Sequence, residues 1–166
     1  MITTLYPNKA QFRHGTFVEN RVKSLVAAGG EDALVVAPVP WMPAAVLWLL
    51  TALKLSKYPP LTEYRQYRDV PAEEVRFGIR VLHPRYLVIP KIGMYLTPML
   101  LALSLLKLVA RLQRGGHRWD LIDSHYFYPD GVAVALLCRW MRLPFIITAR
   151  GSDINLIGNY GAARRM

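Results

Sequence analysis

The sequence predicts an α/β fold, a parallel sheet with helices on both faces. Two observations carry this. Short apolar runs alternate with longer stretches of helical spacing, and Gly or Pro punctuates nearly every change between them. The 166 residues suffice for one domain with a real core, and 53% hydrophobic against 19% charged residues excludes a disordered chain.

The elements follow in order. "MITTL" reads as a short strand and "YPNKAQFRHG" as a loop. In "TFVENRVKSLVAA", Phe17, Val18, Val22, Leu25 and Val26 recur at helical spacing, and Gly29-Gly30 ends the helix. "ALVVAPVP" is a buried strand stopped by prolines. Trp41 to Leu55 is expected to be helical, "KYPPLTEYRQYRDVPAEE" a polar loop, and "VRFGIRVLHPRY" one strand running up to His83-Pro84. Ile92 to Arg114 is a long apolar helix closed by Gly115-Gly116. Then come a strand, "DLIDSH", a helix, "PDGVAVALLCRWMR", and a strand, "PFIITAR". Strand–helix alternation implies parallel pairing.

Charge narrows the partners. The formal net charge is +10, which suits a nucleotide, a phosphate, a nucleic acid or an anionic membrane surface. No nucleic-acid recognition motif is present, so nucleic acid is not expected as a partner. The lone Cys138 forms no internal disulfide, which fits a reducing compartment. The N-terminus lacks the basic-then-apolar pattern of a secretory signal, and a cytoplasmic location is expected. "IGMYLTPMLLALSLLKLVARL" has about the length that spans a bilayer. With Pro98 and Lys107 inside it, it reads as a buried or interfacial helix.

In open parallel sheets, ligands bind beyond the C-terminal ends of the strands. Three such ends carry chemistry. The first leads to a loop with Arg13, His14 and Gly15, and a glycine before a helix lets backbone N–H groups approach a phosphate. The second ends in His125, a hydrogen-bond donor or base near neutral pH, or a ring bonded to nearby backbone. Tyr126 follows it, and Asp130 is placed to cap the next helix. The third end carries Arg150, Gly151 and Asp153. Arg150 can clamp a phosphate or carboxylate. Asp153 can orient Arg150, bind a sugar hydroxyl or cap a short helix. "HPRY" (His83 to Tyr86) lines a cleft or shapes a turn. There is no Ser-His-Asp motif and no metal-ligand spacing, so no metal or other cofactor is expected.

Taken together, "YPN…HGTFVENRV", "VVAPVPW", "HPRYLVIPK", "WDLIDSHYFYPDGVAVAL" and "PFIITARGSDIN" resemble the N-terminal half of retaining family 4 glycosyltransferases of GT-B fold, and most nearly those building teichuronic acid and other surface polysaccharides. The resemblance runs from Leu5 to about Gly158. It implies a Rossmann-like, acceptor-side domain spanning 1–166, facing a donor-binding domain that this chain lacks. It implies transfer of a sugar from a nucleotide-diphosphate sugar to a hydroxyl of a polysaccharide or lipid-linked acceptor. Residue by residue, it puts the Gly15 loop near the donor diphosphate and His125, the candidate catalytic group, near the transferred sugar. Arg150, Gly151 and Asp153 match the strand-end motif H-G-x-D, with arginine in place of histidine. Tyr126 and Asp130 complete the expected substrate-binding set.

Two departures accompany the resemblance. Met1 falls inside the family's first strand, and the donor-site glutamate pair is absent, so the chain is expected to be a fragment that transfers no sugar alone. The other reading is a non-catalytic module that holds a sugar or lipid-linked ligand and needs a partner. Basic residues near Trp41, Trp48 and the Tyr64–Tyr67 loop suggest peripheral contact with the inner face of the membrane.

Overall fold

The computed structural model describes residues 1–29, 33–52, 64–88, 93–155, 159–161 and 165. Gly30, Ile92 and the stretch from Leu53 to Glu63, all covered by the expectations above, lie outside the described residues.

Ile2 is the centre of the sheet. It bridges in parallel to Val36 on one side and to Ser124 on the other. Its amide donates to the Asp123 carbonyl at 2.8 Å, and the Val36 amide donates to the Met1 carbonyl at 2.9 Å. On the first side lies β1 (Leu34–Val36), which pairs in parallel with β4 (Ile79–Leu82). Outside β4 runs β3 (Glu73–Arg76), antiparallel. On the second side, β6 (Ile122–His125) pairs in parallel with β7 (Phe145–Thr148). A separate parallel pair joins β2 (Val39–Trp41) to β5 (Arg85–Leu87).

Helices cover both faces, and the strand alternation shows why. Val35 packs with Val18 and Val22 of α1 (Thr16–Ala27), together with Ile79 and Val81. Its neighbour Val36 points the other way, into a cluster built by α3 (Gly93–Arg114) and α4 (Val132–Met141). That cluster holds Leu101, Leu105, Val109, Ala133, Val134 and Leu137, all fully or nearly fully buried. Truncating one of its leucines to alanine costs about 2–5 kcal/mol. Among the remaining elements are α2 (Ala44–Ala52), a one-turn helix at Tyr67–Asp69 and α5 (Ser152–Asn155).

Three details differ from the sequence reading. "VRFGIRVLHPRY" is not one strand. Phe77 and Gly78, with φ of 51° and 79°, turn the chain back between β3 and β4. Two positive φ values in succession suit a tight hairpin, a turn usually signalled by Asn-Gly rather than Phe-Gly. The sheet is therefore mixed, with β3 its antiparallel edge. "ALVVAPVP" is two strands, divided at Ala37-Pro38, because proline has no N–H to continue the ladder. Asp130 does not cap α4, whose N-terminus carries no side-chain cap.

The long apolar helix was expected to be buried or interfacial, and α3 buries one face and exposes another. Leu101, Ala102 and Leu105 face the core, while Tyr95, Leu96, Met99 and Leu103 form an outward apolar stripe. By length and composition, Tyr95–Arg114 would also suffice to cross a membrane. Pro98 lies early in the helix and points inward. There its missing N–H and ring disturb only the first turns.

Candidate functional site

The ends of β6 and β7 and the start of α1 meet at one point, and Arg150 is the group they share. Its Nη2 lies 2.5 Å from His125 Nδ1. Its guanidinium sits over the Phe17 ring, 5.2 Å from the centroid, in the first turn of α1. Its backbone N–H donates to Asp153 Oδ1 at 2.9 Å. Its Nε is buried and has no hydrogen-bond partner among the described residues. Burial, followed by the nearby charge of Arg21, lowers the Arg150 pKa, but guanidinium stays charged at any physiological pH.

Behind Arg150, His125 is completely buried. Its second nitrogen, Nε2, stands 3.2 Å from Asp123 Oδ2, an ion-pair distance without hydrogen-bond alignment. Burial alone would raise the Asp123 carboxyl. The contact with His125 Nε2 and the positive charges of Arg21 and the N-terminal amine outweigh it and hold the carboxyl below its ordinary value.

The two other predicted carboxylates are builders of the wall. Asp153 Oδ2 accepts the Phe127 amide at 2.7 Å, and its Oδ1 accepts from Arg150 and from Ile154. It thus ties the β7 end to the β6 end. Asp130 is fully buried, and its Oδ2 accepts from the Thr4 amide at 2.7 Å and from the hydroxyls of Thr3 and Thr4. Burial pushes its pKa up to about 7, against the lowering effect of those three bonds. Asp130 fixes the N-terminal segment to the turn after β6.

The glycines have different reasons. Gly15 has φ +70°, and a Cβ there would overlap the Leu5 carbonyl, so no side chain fits. Its own carbonyl accepts the Val18 and Glu19 amides, starting α1. Gly151 has φ +74° with open space around it, so its requirement is backbone conformation alone. Tyr126, φ 87°, turns outward at the end of β6, and its hydroxyl lies 3.1 Å from Ser152 Oγ.

The structure therefore brings His125, Tyr126, Arg150, Gly151 and Asp153 together, with α1 and Gly15 joined through Phe17. The sequence reading did not single out Asp123 or Phe17. Asp123 was findable, because residues two apart on a strand share a face and His125 was already a candidate. Phe17 had no such signal. His83, by contrast, lies in another place. Its Nδ1 is 2.8 Å from the Ala37 carbonyl and its Nε2 is 2.9 Å from Glu74. "HPRY" shapes the strand junction there, with Arg85 donating to the carbonyls of Tyr67, Arg68 and Val70.

Comparison with known proteins bears on what this cluster serves. TuaC of Bacillus subtilis (strain 168), provisionally named a teichuronic acid biosynthesis glycosyltransferase, is 31% identical over 160 residues. The chain is similar to a glycosyltransferase of surface-polysaccharide synthesis. That match covers 96% of this chain and 37% of the relative, so the chain spans little more than a third of the relative's length. No family model matches the chain. No solved structure matches it. The similarity agrees with the resemblance drawn from the sequence, and the mixed α/β architecture fits a Rossmann-like half.

Proposed function

We propose that this chain is the acceptor-side domain of a GT-B glycosyltransferase that moves a sugar from a nucleotide-diphosphate sugar to a hydroxyl acceptor in surface polysaccharide or glycolipid synthesis. The observation that carries the reading is the Arg150 cluster. It lies beyond the ends of two parallel strands and beside a helix N-terminus, in a chain similar to TuaC along nearly its whole length. A guanidinium fixed by His125 and the Phe17 ring, next to the positive end of α1, suits the diphosphate of such a donor. Opposing the charge that develops on the leaving diphosphate is the contribution such donors make to transfer. In this reading Gly15, Tyr126, Arg150 and Gly151 border the crevice. His125, Asp130 and Asp153 support it from behind.

The chain carries no donor-site glutamate pair. It is proposed to form one wall of the cleft and to need a second α/β domain for catalysis. A sugar-transfer assay with radiolabelled nucleotide sugars and a membrane-lipid acceptor tests this. Transfer is expected only when the chain is joined to, or mixed with, a donor-binding domain. Calorimetry with uridine diphosphate should show weak binding by the chain that Arg150→Gln removes. Absence of anion binding, together with absence of transfer in the two-domain form, overturns the proposal.

A peripheral membrane position belongs to the same reading. Trp48 is 73% exposed and Trp41 40% exposed, and the outward stripe of α3 adds Tyr95, Leu96, Met99 and Leu103. The Tyr64–Tyr67 loop contributes less than its sequence suggests, since Tyr67 is buried against Val39 and Val70. With a net charge of +10, the chain should sediment with anionic vesicles and not with neutral ones. Equal behaviour with both sets this part aside.

A further inference from the structure

Neither nitrogen of His125 is open to a sugar: Nδ1 meets Arg150, and Nε2 is buried against Asp123. A guanidinium offers only N–H donors and keeps its proton, so in the contact with Arg150 the His125 Nδ1 must be the acceptor. The imidazole is then neutral, with its proton on Nε2, the nitrogen that faces Asp123. A carboxylate at that side favours this tautomer. The ring is completely buried between the two charged groups. Arg150 is held in addition by the Phe17 ring beneath it and by Asp153 on its backbone.

We infer that Asp123 and His125 are positioning residues, which act in series to fix the Arg150 guanidinium as a clamp for a phosphate group. The identity of the ligand rests on the function proposed above. The series of contacts does not. Asp123 and His125 share one face of β6 and come to Arg150 from the strand next to its own, so the clamp is set by the β6–β7 register. Arg21, the Met1 amine and Asp153 are the other charges near this series; the first two favour an ionised Asp123, and Asp153 favours the charged Arg150. His125 therefore touches the arginine and takes no proton from the acceptor.

Nitrogen-15 spectra of histidine-labelled chain read the tautomer directly, and the His125 signal is assigned from its loss in His125→Gln. The expected result is a single species with hydrogen on Nε2 and a bare Nδ1. Asp123→Asn should mix the tautomers and weaken inorganic pyrophosphate binding by about tenfold, with Asp123→Glu recovering part of the loss. Arg150→Lys, which keeps charge without the fork, should fall between wild type and Arg150→Gln. Circular dichroism confirms that each variant is folded.

A hydrogen found on Nδ1 overturns the inference, as does Asp123→Asn with unchanged tautomer and unchanged affinity in a folded protein. The expected tautomer in a chain that binds neither pyrophosphate nor uridine diphosphate overturns the clamp and the anionic ligand, and leaves only the hydrogen-bond series as architecture. Pyrophosphate binding lost in Arg150→Gln but no sugar transfer by the two-domain form upholds the clamp and sinks the glycosyltransferase reading instead.

Discussion

His83 and His125 are both buried, both sit at the end of a parallel strand, and both contact a carboxylate. They differ in what faces the other nitrogen. Nδ1 of His83 meets the Ala37 carbonyl, part of the fold itself. Nδ1 of His125 meets Arg150, a side chain at the end of β7 beside the first turn of α1. The first histidine closes a hydrogen-bond account among structural groups. The second passes orientation on to a group at the crevice. Burial, strand-end position and carboxylate contact thus do not by themselves mark a functional histidine. The chemistry of the remaining partner does.

The largest effect should come from Arg150. Arg150→Gln is expected to cut pyrophosphate affinity about tenfold to a hundredfold, as loss of charge-assisted hydrogen bonds would, while its melting temperature stays near wild type. Equal loss of binding in His83→Gln would erase the distinction between the two sites.

Next in size is a stability effect confined by pH. Asp130 supports the His125 side, and its folded pKa is raised to about 7 from an ordinary 3.8. The folded state then holds a proton that the unfolded state releases. Its contribution is fully present below about pH 4 and is lost as pH rises towards 7. Urea denaturation along that window should show a decline of up to about 4 kcal/mol from this group. Asp130→Asn should flatten it. Asp123 works in the opposite sense: its lowered pKa gives stability that is present above about pH 4 and lost as pH falls through its folded pKa, so Asp123→Asn should remove that acid-side loss and leave the decline towards pH 7 in place.

His83→Gln should destabilise the chain by about 1–3 kcal/mol, the cost of leaving buried partners unpaired, with anion affinity unchanged. The smallest effect is expected at the Arg80–Glu73 pair on the same hairpin, which is exposed on both sides. Arg80→Ala should leave the melting curve where it was.

Much of this fold was legible because its signals are local. The helical spacing of Val18 and Val22, Gly29 just past α1, the glycines that end α3, and the apolar run that became β7 each depend on neighbours within a few residues. The hairpin at Phe77-Gly78 was missed because its turn lacks the usual asparagine, and alternation continues across the reversal. At the site, strand ends pointed to His125 and Arg150 separately. That they touch depends on β6 and β7 pairing in register, His125 opposite Thr148, a relation between segments that no local pattern encodes.

Sequence alone determined the alternating α/β order, the positive charge, the glycine at residue 15 and the resemblance to a glycosyltransferase half. These follow from composition, periodicity and ordered motifs, which are properties of the chain read in one direction. Tertiary structure alone decided that Asp130 reaches back to Thr3 and Thr4, that Phe17 lies under Arg150, and that His125 buries both nitrogens between Arg150 and Asp123. Those are contacts across 100 residues or more, or between adjacent strands and a helix, and only the packed sheet brings their atoms within reach.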